Sequence, residues 1–509
     1  NVVVNMLGGT VANDIYGGGA LANTQVANNN AGNTTSTFKT TVNVLGGTVN
    51  DVYGGGLGRK ASDTETAVEA KVYGDVTVNL NGLENVDYVA ANHSDLVVDV
   101  DATDGTYYRT TDGSVVTGNV FGCNNVNGTP EGHVKVHVFK TKAKTGQSDT
   151  DYDIAAVFGG GNQADYKPTD TKQFSEVIIE GCDLTSIENV YGGGNAAATP
   201  ATNVLVKGTK IINNLFGGGN GTVKAANVGY DSNGYVYAKG TGKAVTQLMA
   251  GNINYVYGGS NSQGDIHGGS SITNPTNEWT EGNSSCCEKL VVQQVYGGGK
   301  DADIKEGGTE IILGCLPNDW IGEIYAGAQN ADVKNDVSLT LTSGKFGRVF
   351  GGNKAGGKLD GSITVNIEES SDCGTPIVIG ELYGGGNEAP YSAYGYKENP
   401  NNPGEWIPLQ KGDADALNTP YFGPVLNIKS FTSIGNIYGG GYGPTATVIG
   451  NPHVFINEVN VEGNNVAYDV SSDTNVPSLI DGVNVKLYPH EFEKTPKKSI
   501  KRFLYTVNS

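Results

Sequence analysis

The alternation of apolar and polar side chains is clearest in residues 331–353, which read ADVKNDVSLTLTSGKFGRVFGGN. Val337, Leu339 and Leu341 alternate with Ser338, Thr340 and Thr342, the period of two expected of a strand with one buried face. Ser343-Gly344 breaks the run, and a second short strand ends at Val349-Phe350 against two glycines. Residues 40–56, TTVNVLGGTVNDVYGGG, repeat the scheme. The three-to-four spacing of an amphipathic helix is almost absent. The pattern predicts an all-β chain of short strands separated by glycine corners.

The unit recurs along the chain. An aliphatic residue, an aromatic one and then small residues stand together at twelve places, with Tyr16, Tyr53, Phe121, Phe158, Tyr191, Phe216, Tyr257, Tyr296, Tyr325, Phe350, Tyr383 and Tyr438 as the aromatics. Val, Ile or Leu precedes each, and Gly follows each except Tyr325, where Ala326 stands instead. Asn lies four positions on at Asn125, Asn162, Asn195, Asn220, Asn261 and Asn387. The tightest spacings, Tyr191 to Phe216 and Tyr325 to Phe350, are 25 residues. A repeat can gain a loop but cannot lose a strand, so that minimum is one coil of two or three strands. A lone coil cannot bury its apolar face, and stacking supplies the partner. Residues 1–450 are therefore expected to form a right-handed parallel β-helix of about 12–14 coils, stacked about 4.8 Å apart. A propeller would need longer blades than the minimum allows.

Two long intervals need their own reading. The Tyr53–Phe121 gap is expected to hide a degenerate copy at Tyr88-Val89-Ala90-Ala91-Asn92. The Pro- and Tyr-rich stretch at 388–420 is expected to be a lateral loop. Residues 451–509 lack the triple glycine and are expected to add a terminal coil and a cap. There the basic cluster Lys494, Lys497, Lys498, Lys501 and Arg502 would close the rod. The first strand, NVVVNMLGG, carries no polar cap and is expected to meet either upstream coils or another chain.

Within the motif, the aliphatic and aromatic neighbours must face opposite sides of the strand, one filling the core and the other forming a ring column. The glycines are expected to give positive φ at a sharp corner and close approach between coils. The Asn is expected to tolerate the left-handed region and to hydrogen-bond along the rod. Phosphate binding by the glycines would need a strand–loop–helix context and Lys-Ser/Thr, and neither is present. GGGNQADYK (159–167) and GGGKDADIK (297–305) superficially match calcium-binding nonapeptides, but the period is wrong and Asp does not recur at one offset.

Composition narrows the classes further. Glycine supplies 76 of 509 residues, in bursts rather than every third position, which excludes collagen. The formal charge of −20 repels polyanions and argues against nucleic acid. No apolar run approaches the length of a membrane helix. Because the chain starts at Asn1, a mature or truncated product is expected. Of the six cysteines, Cys286 and Cys287 are adjacent, while Cys182, Cys315 and Cys373 hold similar slots nine or ten residues before a repeat aromatic. Such slots predict buried small apolar residues rather than bridges. No cofactor is expected; outward carboxylates could take calcium, but no motif requires it.

Candidate chemistry is sparse. Polysaccharide lyases and glycoside hydrolases on β-helices line carboxylates along a groove, and their signature runs are missing here. Asp301 and Asp303 are expected to be solvated carboxylates. His133 and His137 share a strand face with Lys135, expected to be solvated; His267 lies beside a corner. Trp279, Trp320 and Trp406 fall in loop-like contexts (TNEWTEG, PNDWIGE, PGEWIPL). Each either offers a flat face to sugar or protein or packs its own loop.

The VYGGGN repeat with its T-V-x-V strands resembles glycine-rich surface proteins of gut bacteria and is similar to the passenger rods of autotransporter-type adhesins. The resemblance covers residues 1 to about 450, and no membrane-barrel translocator is recognisable. It implies a non-catalytic extracellular or cell-surface rod serving structure or adhesion. Its partners would be surface glycan or protein, or a further copy of itself end to end in a filament. A polysaccharide-processing β-helix enzyme and a phage fibre or spike are the alternatives.

Overall fold

A computed structural model describes residues 1–25, 38–84, 96–101, 105–148, 150–170, 173–230, 242–274, 287, 289–315, 320–370, 373 and 375–456. Every named element within them is a strand. A front sheet of 14 strands and a back sheet of 12 strands run side by side, and in both nearly every neighbour is one coil away in sequence. Strand pairing within both sheets is parallel, in register and almost free of bulges. A third side is thinner, carried by single bridges that run Val228–Ile266–Ile304–Val333 and continue to Leu359. The chain visits front sheet, back sheet and third side in turn, which is the path of a parallel β-solenoid.

Alternation explains the section. In Val337–Leu341 the residues Val337, Leu339 and Leu341 point inward and are buried, while Ser338 and Thr340 point out. The inward Val, Ile and Leu of all three sides join one apolar cluster running the length of the rod. Several coils add a polar tie that the sequence pattern did not disclose. Ser175, Thr202, Ser270 and Thr309 begin front strands and donate hydroxyls to the carbonyls of Gly192, Gly217, Gly297 and Ala326, at 2.6–2.7 Å. Each bond links a front strand to the glycine corner of its own coil through the interior.

The twelve aromatics occupy twelve successive back-sheet strands, one per coil. Between Tyr53 and Phe121 there is no further coil in that sheet, because the two are direct register partners. The expected degenerate copy at Tyr88 therefore has no place there, and its residues lie outside those described. Around them, Gly82–Leu83, Leu96–Asp101 and Gly105–Thr110 form a small antiparallel sheet beside the rod. The stretch at 388–420 begins within the coil, since Tyr391–Ser392 pairs with Val448–Ile449. It then leaves as a lateral loop holding the hairpin Tyr396–Glu398 with Trp406–Pro408. Of the terminal segment, His453–Ile456 extends the front sheet; the expected cap and basic cluster lie outside the described residues.

The base of the lateral loop is closed by a bond from the Tyr421 amide to the Ala393 carbonyl, at 2.8 Å. Replacing residues 394–420 by two or three glycines should thus leave the rod intact, as loop length changes closure entropy only slowly. Far-UV circular dichroism of that variant should keep the β-sheet band; its loss would mean the loop is part of the core.

Glycine at the corners acts through space rather than through dihedral angle. None of the triple-glycine corners contains a positive-φ residue, against expectation. A Cβ on Gly192 would instead lie 2.3 Å from the Gly217 carbonyl oxygen of the next coil, and Gly159 and Gly217 are equally confined. Close approach is what glycine permits here. The Asn residues of the motif likewise avoid the left-handed region.

Candidate functional site

The outward face of the back sheet gathers the motif side chains. Adjacent aromatic rings stack with centroids 4.7–5.1 Å apart and planes within 11° of parallel, from Tyr16 to Tyr438. This spacing is the coil repeat itself, so the rings are parallel slabs in a single column. Each Tyr brings a hydroxyl that needs a partner. Tyr16, Tyr53, Tyr296, Tyr325 and Tyr383 donate to Asp14, Asp51, Gln294, Glu323 and Glu381, each two positions earlier on the same strand face. Where the ring is Phe, that slot holds Asn119, Ala156, Asn214 or Arg348. Tyr191, Tyr257 and Tyr438 have Asn189, Tyr255 and Asn436 in that slot, and the Tyr257 hydroxyl donates instead to Gln329 at 2.7 Å. Burial pushes the Tyr16 phenol up to about 12, and the Asp14 carboxylate beside it acts in the same direction. Burial raises the Asp51 carboxyl too, against the lowering bonds from Asn119 and Tyr53.

Beside the column runs an amide ladder. Asn162 donates to Asn125, Asn195 to Asn162, Asn220 to Asn195 and Asn261 to Asn220, at 2.7–2.9 Å. Asn387, the sixth of the set, donates instead to the Tyr325 hydroxyl at 3.1 Å. Arg348 lies between its register partners Glu323 and Glu381, pairs with Glu323, and covers the Phe350 ring. Asp303, expected to be merely solvated, receives the Asp332 amide of the next coil at 2.9 Å and pairs with Lys305.

The front sheet carries a charged cluster built around buried His137 and Glu180. His137 is fully buried rather than on a solvated face, with Glu84 2.6 Å from Nδ1 and Glu180 2.9 Å from Nε2. Its ring lies on Phe139, centroids 3.7 Å apart. A neutral imidazole can donate from one nitrogen only, so two flanking carboxylates fit the imidazolium. Arg109 and Lys207 also reach Glu180, at 3.4 Å each, and Lys135 pairs with Glu84. Burial would raise Glu84, but bonds and charge from His137 and Lys135 hold it at about 2. Glu180 is also lowered, burial being outweighed by His137, Lys207 and Arg109. Sequence alternation missed this cluster because its cover, Glu84 and Arg109, comes from the lateral antiparallel sheet. His133 stays partly exposed beside Glu176 at 3.4 Å, and His267 faces Glu306 at 3.5 Å.

The tryptophans do not converge. Trp279 lies outside the described residues. Trp320 opens a back-sheet strand instead of sitting in a loop, is 42% exposed, and is the register partner of Val291. Trp406 is in the lateral hairpin, 39% exposed, with the Lys358 ammonium 3.3 Å from its ring centroid. The cysteines overturn the sequence reading. Cys182 bonds Cys287, and Cys315 bonds Cys373; only Cys123 is a buried free thiol, and Cys286 lies outside the described residues. The shared slot does align Cys182, Cys315 and Cys373 on the edge where front sheet turns to back. Alignment along one edge is what permits bridging across the coil between, as with Cys315 and Cys373.

Among the described residues no group of three or more His, Cys, Asp or Glu side chains is placed to hold a metal ion, and no helix is long and apolar enough to cross a membrane. No family model, curated protein or solved structure matches this chain.

Proposed function

We propose that the protein is a non-catalytic structural or adhesive rod of the cell exterior. The observation that carries the reading is where its polar chemistry goes. Tyrosine hydroxyls, the amide ladder and the back-sheet carboxylates bond to one another from strand neighbour to strand neighbour and coil to coil. Side chains that in an enzyme would converge on substrate are committed to length and rigidity. Two disulfides support an oxidising compartment. Trp320 and Trp406 are the surfaces offered to a glycan or protein, held on a rigid scaffold.

Small-angle scattering should report a rod whose twelve coils span about 53 Å. For adhesion, the chain should bind a surface glycan or protein in array and whole-cell assays, and Trp320→Ala with Trp406→Ala should weaken that binding at least tenfold. Undiminished binding by the double variant would remove the two tryptophans from the reading.

A further inference from the structure

Between the front strand Asp75–Leu80 and the short strand Ser114–Val116 the chain leaves the rod and folds the three-stranded antiparallel sheet beside it. The base of this excursion is pinned from both sides. The Ser114 amide donates to the Asn81 side-chain oxygen at 2.6 Å, and the Asn81 side-chain amide donates to the carbonyls of Ser114 and Lys140 at 3.2 and 3.1 Å. Ser114–Val116 then rejoins the front sheet against Gly47–Val49. Among the described residues the apolar contact between this lateral sheet and the rod is small. Leu83 and Tyr108 form a cluster with Leu45, and Gly82 lies so close to the Phe139 ring that a Cβ would clash with it.

Charge supplies a second attachment, and its members come from three places. The lateral excursion gives Glu84 and Arg109, the strand beneath gives Lys135 and His137, and the two following coils give Glu180 and Lys207. Glu176, the register partner of Lys135, lies at the margin and pairs with His133, whose bond holds its carboxyl below the free range. Nearer the base, Lys140 donates to the Thr111 carbonyl at 3.0 Å and Lys142 pairs with the exposed Asp112. Glu84 and Glu180 are thus the two carboxylates that tie four cations, His137, Lys135, Arg109 and Lys207, across the seam. With both protonated, those cations face one another.

We propose that the lateral sheet is an acid-released flap, hinged at Asn81 and Ser114 and latched over His137 by Glu84 and Glu180. The device stands apart from the rod reading and does not depend on it. Burial raises both carboxyls, but the bond and charge of His137, with the neighbouring cations, hold Glu84 at about 2 and Glu180 also below its free range. Their attraction is therefore complete above about 4.5 and is lost as pH falls through the folded values. In acid the seam holds like charges where it held pairs. The flap then leaves its latched edge, and the front-sheet face carrying Leu45, Phe139 and His137 meets solvent as a cationic surface. The coils of the rod stay paired, because parts of one structure open with separate free energies.

Hydrogen–deuterium exchange of the full 509-residue chain, with its disulfides intact and rates corrected for intrinsic pH dependence, reads flap and rod separately. Protection of the Gly105–Thr110 amides should fall about tenfold or more from pH 6 to pH 3, while that of Val337–Leu341 stays within about twofold. Return to pH 6 should restore it. Glu84→Gln with Glu180→Gln should loosen Gly105–Thr110 to the same extent already at pH 6 and lose most of the response to acid. If that double variant loses the β-sheet circular-dichroism band, Glu84→Gln alone, on a side chain 35% exposed, gives the reading: lower protection at pH 6 and a smaller fall. Protection that holds at pH 3 would overturn the latch, as would a glutamine variant with wild-type protection at pH 6. A parallel loss in Val337–Leu341 would overturn it too, since the whole chain would then be loosening.

Discussion

Gly192→Ala should destabilise the protein by about 3 kcal/mol, while the chemically identical Gly440→Ala should change stability very little. The added methyl at residue 192 would sit 2.3 Å from the Gly217 carbonyl and 2.9 Å from side-chain atoms of Thr202 and Val204. Backbone on one side and core on the other leave no rotamer to escape through. Coils pack chiefly on their neighbours, so the damage is local in origin, and packing between the two halves of the rod should weaken even though Cys182–Cys287 spans the site. Urea melts followed by tyrosine fluorescence would show a broadened or split transition for Gly192→Ala and a wild-type curve for Gly440→Ala. Equal midpoints would mean the corner can relax, and glycine there is a matter of composition.

His137→Leu should cost about 3 kcal/mol at neutral pH, because removing one member of a buried ionic set leaves the others less compensated. Glu84 would keep Lys135, and Glu180 would keep Arg109 and Lys207, as opposite charges. The wild-type pH dependence has a defined sign. A carboxylate held below its free value stabilises the fold above that free value and loses the contribution as pH falls through its folded value. For Glu84 the window runs from about 4.5 down to about 2, and Glu180 is lowered in the same direction. Chemical denaturation at pH 6, 4 and 2.5 should show stability draining across that window in the wild type. The slope should be shallower in His137→Leu. An unchanged slope would place the acid sensitivity elsewhere.

The fold was largely legible because solenoid order is one-dimensional. Val337-Ser338-Leu339 states which side of a strand is buried, and the invariant order of aliphatic before aromatic separates core from ring column. Repetition then does the work that tertiary knowledge would do in a globular protein. What remained hidden depends on groups distant in sequence. Nothing around GHVKVHVF indicates that Glu84 and Arg109 cover His137. Equal spacing placed Cys315 and Cys373 on one edge, but spacing alone does not distinguish stacking from bonding. The glycine corner was read for both dihedral freedom and close approach, and only the second holds: no corner glycine has positive φ, and the constraint is a carbonyl one coil away. Trp320 looked like a loop residue because Pro317-Asn318-Asp319 precedes it, although the strand begins at the tryptophan itself.

The two disulfides acquire another meaning if the rod carries mechanical load. Pulled from its ends, a solenoid yields by shedding coils one after another, each releasing slack of about 3.4 Å per residue. Cys182–Cys287 closes off 105 residues of that slack and Cys315–Cys373 another 58. The sealed lengths correspond to about 360 Å and about 200 Å of extended chain that tension cannot pay out. Coils outside the two loops can unravel and absorb a shock, while each enclosed segment keeps its contour until a covalent bond breaks. The rod is thus inextensible within residues 182–287 and 315–373 and extensible outside them, including the single coil between the two loops.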